Sequence, residues 1–326
     1  MPSTTALAIA TPETTLPPLP RTDRSEEIFA VALANVEPGD RAALVTLVAV
    51  RGRSSRPLGA QMVVFEDGRH CGYVAGGCIE AAVAAEAQKA IASGHGRVLT
   101  LGEGSPFFDI VLPCGGSLDL LIQVFEDIAP IAQVHEAMAR REAVALAIDP
   151  AREQISVSHG EGETGWSGDI FVRAYEPATR LLVCGRGLET EQLVRLARGN
   201  GLDVMCVTPD PLTADLATSL GCTVHQIAGP DDFSTDWIDA QTGVALLFHD
   251  LEWDTRLLRR IVHTSAFYVG ALGSRTTHDR RCAALAEAGV DADAIGRIKG
   301  PIGAFGPARD AASLAASVLA DVMAAR

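Results

Sequence analysis

Several short loops in this sequence carry residue types that bind or react. Arg51-Gly52-Arg53-Ser54-Ser55-Arg56-Pro57-Leu58-Gly59 sets three arginines among glycines and serines. Such a loop grips phosphate or another anion through bidentate and backbone hydrogen bonds, with a solvated surface loop as the other reading. Gly76-Gly77-Cys78-Ile79-Glu80 puts a cysteine where a helix is expected to begin. Unpaired N–H groups there stabilise a thiolate, and paired glycines let the backbone approach a ligand. A cysteine packed beside a tight turn is the plainer alternative. Glu80 either caps that helix or acts on a ligand. Cys114-Gly115-Gly116 repeats the cysteine–glycine theme.

A second set of loops follows Glu176. Gly185-Arg186-Gly187-Leu188-Glu189-Thr190 matches the opening of a dinucleotide-binding turn, with Thr190 at the position of the third glycine. The acid that reads a ribose should end the next strand. That position is Thr208, and Asp210 follows two residues later. His249-Asp250 and Gly270-Ala271-Leu272-Gly273-Ser274-Arg275 also fall at the ends of expected strands, where open α/β sheets bind ligands. Ser274 and Arg275 suit an anion. His249 is either an acid–base group or structural. Gly300-Pro301-Ile302-Gly303 adds a rigid loop on the same edge.

Alternating elements must position these loops. A helix is expected from Ser25, acting as its cap, to Asn35, with strands over 42–50 and 61–66. A helix over 81–92 closes at Gly94, and strands follow over 97–101, 109–112 and 118–125. Then come a helix over 129–142, a strand over 143–148, and a β-hairpin with a linker within 150–178. From Arg180 the period changes to strands at 181–184, 203–207, 222–225, 244–248 and 267–270. Helices over 189–199, 212–219, 254–264, 277–288 and 310–325 alternate with them. The fold class expected is α/β: an N-terminal mixed α/β domain over 23–176, then a Rossmann-like doubly wound parallel-sheet domain over 177–326. Residues 1–22, rich in Pro and Thr, are expected to be a disordered tail.

The whole-chain numbers set bounds. A length of 326 residues suggests two domains. The net charge is −14, and neither half is basic: residues 1–176 hold 13 basic and 23 acidic side chains, the rest 14 and 18. A nucleic-acid partner is not expected. The longest apolar run, Ala42 to Val50, is too short to span a membrane, and no secretory signal is read at the N-terminus. The seven cysteines are scattered without a C-x-x-C pair. That argues for a cytoplasmic protein without a disulfide framework or structural zinc. Cys184, Cys206 and Cys222 fall in or beside core strands.

Taken in order, these loops resemble the XdhC/CoxI family, accessory proteins for xanthine dehydrogenase and related molybdenum hydroxylases. The family's G-S-x-P-R-x-x-G resembles residues 52–59, its G-G-C-x-E matches Gly76 to Glu80, and its C-G-G matches Cys114 to Gly116. Its later pattern is met by His249-Asp250, by Tyr268 to Arg275 and by Pro301-Ile302-Gly303. The resemblance covers about residues 25 to 326.

It implies a chaperone that binds molybdenum cofactor, as molybdopterin or its cytosine dinucleotide. Such a chaperone protects the cofactor and delivers its sulfurated form to an apo-hydroxylase subunit, together with a cysteine desulfurase. On this reading Arg51, Arg53, Arg56, Gly76, Gly77, Glu80, Gly115, Gly116, Gly185, Gly187, His249, Asp250, Gly273, Ser274 and Arg275 handle the cofactor. Cys78 and Cys114 face its metal. A homodimer is expected.

The departures fall mainly in the second half. The family's G-A-G-H stands here as Gly185-Arg186-Gly187-Leu188, its strand-ending Asp as Thr208, and its G-L-D-I-G as Gly303-Ala304-Phe305-Gly306-Pro307. In the first half, Arg53 and Ser55 replace a Ser and a Pro. Two other readings stand beside the chaperone. One is an NAD(P)-dependent oxidoreductase, which would make NAD(P) or another nucleotide the ligand of the Rossmann half. The other is an assembly factor that recognises protein partners alone.

Overall fold

The structure is a computed structural model and describes residues 18–77, 79–102, 116–160 and 162–326. Cys78, Cys114, Gly115, the strand expected over 109–112 and most of the tail lie outside the described residues. The chain divides into two compact units, Met1–Glu176 and Pro177–Arg326.

The first unit opens with residues 18–22, which run along its body. Leu19 packs on the core and the Pro20 carbonyl accepts the Cys71 thiol. This stretch departs from the disordered tail expected through residue 22, because Leu19 supplies an apolar anchor. Helix α1 (Ser25–Asn35) follows. Its cap is Arg24 rather than Ser25, and Thr22 Oγ1 accepts the Arg24 N–H.

A five-stranded antiparallel sheet comes next, built from β1 (Ala42–Arg51), β2 (Gln61–Phe65), β3 (His70–Gly72), β4 (Arg97–Gly102) and β5 (Ser117–Phe125), in the order β3-β2-β1-β5-β4. Strand β1 is buried on both faces. Ala43, Val45 and Leu47 meet α2 (Glu80–Ser93), which ends on the left-handed Gly94. Ala42, Leu44 and Val48 meet α1 and α3 (Ala129–Ala139). Helix α3 stops before Glu142 because Arg141 adopts a positive φ of 59° and turns the chain back.

The expected hairpin within 150–178 is three strands. With β6 (Val144–Asp149), strands β7 (Gln154–His159), β8 (Gly165–Ser167) and β9 (Ile170–Tyr175) form a second antiparallel sheet, ordered β7-β6-β9-β8. A polar link joins the sheets: Tyr175 donates to Gln61 Oε1 at 2.7 Å, and Gln61 is held within the first sheet by donating to Thr46 at 3.1 Å. The β1–β5 register shifts between Leu47 and Ala49, and the intervening Val48 carbonyl accepts the Trp166 indole N–H at 3.0 Å.

The second unit alternates strand and helix: β10 (Arg180–Gly185), α4 (Leu188–Gly199), β11 (Asp203–Thr208), α5 (Pro211–Ser219), β12 (Thr223–Gln226), β13 (Thr242–Leu247), α6 (Leu251–Ile261), β14 (Tyr268–Ala271), α7 (Arg275–Glu287), α8 (Ala292–Gly296), β15 (Ile298–Lys299) and α9 (Ala311–Ala324). All strand pairs are parallel, in the order β12-β11-β10-β13-β14-β15. Leu181 and Val183 of β10 pack towards α4 and α9, while Leu182 and Cys184 pack towards α6 and α7. Continuous apolar strands buried between two helix layers give the doubly wound sheet that the sequence implied.

Candidate functional site

In the first unit the strand directions gather the glycine loops at one sheet edge. Arg51, ending β1, pairs with Ser117, starting β5, and Gly102, ending β4, pairs with Ser117 from the other side. Strand β3 ends at Gly72 on the same edge, because β1 and β3 each run antiparallel to the β2 between them. Two contacts bind the loops together. Ser55 donates to the Ala75 carbonyl at 2.9 Å. Gly116, at φ +83°, lies so close to β1 that a Cβ there would sit 2.1 Å from the Arg51 carbonyl oxygen.

Glu80 shapes the loop that holds Gly76 and Gly77. Its Oε1 accepts the N–H of Val74 at 3.2 Å and of Ala75 at 2.9 Å, and its Oε2 accepts that of Ile79 at 3.2 Å. Burial pushes this carboxyl up, but the converging backbone N–H groups outweigh it and hold it below its ordinary value. Glu80 is therefore spent on the loop backbone rather than turned to a ligand. Gly76 and Gly77 are exposed at φ +83° and +102°, the left-handed region that a glycine enters freely.

The three arginines part company. Arg51 donates to Ser117 Oγ at 2.9 Å and to Asp119 at 2.8 Å, so it ties β1 to β5. Arg56 pairs with Asp23 and lies over the Tyr73 ring, 5.5 Å from its centroid. Arg53 is exposed and has no ion pair or hydrogen bond among the described residues. Of the three, it alone has no such partner among the described residues.

The second unit's predicted residues line the carboxyl edge of the parallel sheet. Gly187, at φ +77°, precedes α4, and its N–H donates to Thr213 Oγ1 at 3.0 Å. Thr213 in turn donates to Asp210 Oδ2 from its hydroxyl at 2.6 Å and its amide at 3.0 Å. The Thr213 hydroxyl and amide, with Arg186 nearby, hold the Asp210 carboxyl below its ordinary value. Asp210 thus caps α5, and Thr208 is fully buried. Thr190, also fully buried, packs against Gly185, where a Cβ would lie 2.4 Å from Thr190 Oγ1. This first turn has no free amide at Gly187 for a pyrophosphate.

Asp250 caps α6 through the Glu252 and Trp253 amides and faces Arg186 at 3.9 Å. His249 is exposed beside it. Ser274 caps α7 through the Thr277 amide. Residues 272–275, 301–308 and Leu314 line an open cavity of ≈ 580 Å³. Gly303 of its lining donates its amide to Asp321 at 3.2 Å, and Asp321 also accepts hydrogen bonds from Tyr268 at 2.7 Å and Lys299 at 3.1 Å.

The sequence reading singled out Gly273 to Arg275 but missed Phe305 and this cavity. The signal was the Gly303 to Pro307 stretch, where the chain departs from the family pattern. Ser55, Tyr73, Ser117 and Asp119 were also missed as partners of the arginine loop.

Among the described cysteines, Cys71, Cys184 and Cys206 are core, while Cys222 and Cys282 are half-buried and the Cys282 sulfur lies 3.5 Å from His278 Nε2. Cys184 and Cys206 are fully buried, and burial pushes the Cys206 thiol up to about 12 and Cys184 well above its ordinary value. Burial, with Glu27 nearby, lifts Cys71 to about 11. No three potential metal ligands cluster among the described residues, and no described helix is long and apolar enough to cross a membrane.

Comparison with known proteins agrees with this layout. Residues 36–102 match the family described as "XdhC and CoxI family", and residues 181–322 match the "XdhC Rossmann domain". The chain is 39% identical over 305 residues to the molybdenum cofactor insertion chaperone PaoD of Escherichia coli (strain K12), covering 94% of this chain and 90% of that one. A crystal structure described as a xanthine dehydrogenase from Bacillus halodurans has the same fold, with a TM-score of 0.75 at 19% identity over 92% of this chain and 95% of that one. Both halves carry the family's sequence signatures, and the chain belongs to the XdhC and CoxI family.

Proposed function

We propose that the protein is an accessory chaperone. It binds molybdenum cofactor, protects it during sulfuration and hands it to a molybdenum hydroxylase of the xanthine dehydrogenase type. Kinship with PaoD over nearly the whole chain supports this maturation role. The observation that carries it is the joining of the glycine loops at one sheet edge, through Ser55 and Ala75 and through Gly116 and Arg51.

The chemistry follows from the residues there. Exposed Gly76 and Gly77 offer backbone to a ligand at close range, and the exposed Arg53 guanidinium, unpaired among the described residues, suits the cofactor's phosphate. Cys78 and Cys114 are proposed to meet the molybdenum–dithiolene end, since soft thiolates suit that metal. Gly77 and Ile79, which flank Cys78, and Gly116, which follows Cys114-Gly115, belong to this edge. Arg51 and Arg56 build the loop that presents Arg53. A cysteine desulfurase as sulfide donor, a homodimer and a cytoplasmic location complete the proposal.

The NAD(P)-dependent alternative needs the Gly187 amide for a pyrophosphate and an acid for a ribose. Thr213 occupies the amide, and capping occupies Asp210. The test is co-expression of the cognate hydroxylase with and without this chain, followed by assay of molybdenum and terminal sulfide in the purified enzyme. Fuller occupancy with the chain is expected. Equal occupancy in both preparations overturns the reading.

A further inference from the structure

The Rossmann unit presents two glycine turns that a phosphate group can approach, and their surroundings differ. At the first, the Gly187 N–H is spent on Thr213, and Arg186 lies between Asp210 and Asp250. A dianion placed there would meet two carboxylates and one shared cation.

The cavity bounded by residues 272–275 and 301–308 has the opposite character. In a chain of net charge −14, Arg275 is the sole charged residue among the described residues that line it. The Arg275 guanidinium has no ion pair or hydrogen bond to the described residues. Helix α7, thirteen residues long, starts at Arg275. Its opening N–H groups have no intrahelical acceptor, and Ser274 Oγ takes up the Thr277 one.

Arg281 is fully buried behind Gly273, where its Nη2 donates to the Leu272 carbonyl at 2.6 Å and to Asp254 Oδ2 at 2.6 Å, so its charge is balanced by the buried Asp254 carboxylate and Arg275 is the cation that faces the cavity. The Arg281 Nη1 has no partner among the described residues. On the rim, Phe305 is 58% exposed between Gly303 and Pro307, a flat apolar face turned to solvent. A volume of ≈ 580 Å³ is the size of a small-ligand pocket.

We propose that this cavity binds a phosphomonoester carried on a flat heteroaromatic ring. The phosphate lies against Arg275 and the start of α7, and the ring stacks on Phe305. A nucleotide has this chemistry, as does the cytidine nucleotide end of the dinucleotide form of the proposed cargo. The identity of the physiological ligand rests on the chaperone reading, and the site itself does not.

The test is calorimetric titration of the full chain with AMP, CMP, adenosine and inorganic phosphate. The two nucleotides are expected to bind, and adenosine and phosphate alone to bind about tenfold more weakly or worse, since each lacks half of the contacts. Arg275→Ala, at an exposed side chain, is expected to weaken nucleotide binding about tenfold. Phe305→Ala is expected to weaken the ring-bearing probes and spare phosphate. Arg186→Ala, at the first turn, is expected to leave binding unchanged. Matching thermal melts exclude misfolding of the variants.

Absence of nucleotide binding overturns the proposal, as does binding that survives Arg275→Ala or is lost in Arg186→Ala. The mass of any small molecule released from anaerobically purified protein separates a pterin from a nucleotide. Hydroxylase occupancy that does not depend on the chain, beside Arg275-dependent binding, removes the chaperone reading and leaves this site standing. The reverse pattern removes the site alone.

Discussion

The Ser55 hydroxyl donates to the Ala75 carbonyl oxygen at 2.9 Å, and this bond, with Arg56 over the Tyr73 ring, joins the arginine loop to the glycine–cysteine loop. Gly76 follows directly, and a Cβ on it would lie 2.8 Å from Ser55 Oγ. The contact therefore depends on both the hydroxyl and the missing side chain.

Glu80 holds the other end of the same loop. Glu80→Gln keeps the shape but replaces one acceptor oxygen with a donor facing backbone N–H groups. A loss of about 1–3 kcal/mol is expected, with faster hydrogen exchange at the Val74, Ala75 and Ile79 amides. The wild-type carboxyl sits below its ordinary value, so its contribution is present above about pH 4.5 and is lost as pH falls through the lower folded value. Unchanged exchange rates in the variant would show that the loop does not lean on this carboxylate.

Gly116→Ala should be strongly damaging to the first unit. The backbone is at φ +83°, and the clash at 2.1 Å is with the Arg51 carbonyl, a backbone atom that cannot swing aside. A cost of at least about 2 kcal/mol is expected in denaturant unfolding. A midpoint equal to wild type would mean that the β1–β5 junction yields easily.

Arg51 and Arg53 separate structure from binding. Arg51→Ala removes the ties to Ser117 and Asp119 and is expected to cost about 1 kcal/mol or less, since the guanidinium is largely exposed. Arg53→Ala is expected to leave the melting point alone and to reduce the cofactor that copurifies with the protein. Equal cofactor content in the Arg53 variant and wild type would remove Arg53 from the site.

Cys78→Ala and Cys114→Ala test the thiolate role. Each is expected to lower sulfurated molybdenum in a co-expressed hydroxylase about tenfold, the scale of losing a metal contact. Full occupancy with both variants would favour a factor that recognises protein partners alone.

Asp321 fixes Gly303, which lines the Rossmann-unit cavity, and also accepts from Tyr268 and Lys299. Burial pushes its carboxyl up, but these donors outweigh burial and keep it below its ordinary value. Its contribution is thus present above about pH 3.8 and fades as pH falls further. Asp321→Asn is expected to destabilise the second unit by about 1–3 kcal/mol at neutral pH and to flatten its acid unfolding. Identical acid profiles would refute this.

Local pattern made much of the fold legible. Apolar runs of four to nine residues between glycine turns mark β1, β5, β10, β11 and β13, because burial on both faces demands unbroken hydrophobicity. The short strands β3, β8 and β15 gave no such signal, since two or three residues show no period. The sequence also placed the glycine loops at strand ends and separated the core cysteines from those in loops.

Which polar groups stay free is a tertiary matter. Arg51 looks like its neighbour Arg53 until Ser117 and Asp119 arrive from 66 and 68 residues away. Gly187 looks open to a phosphate until Thr213, 26 residues on, takes its amide. Propensity and periodicity act over a few residues, whereas hydrogen-bond partners are fixed by the register of strands and the docking of helices far apart in the chain. The sequence by itself determined which groups can bind an anion, and the folded packing decided which of them are left to do so.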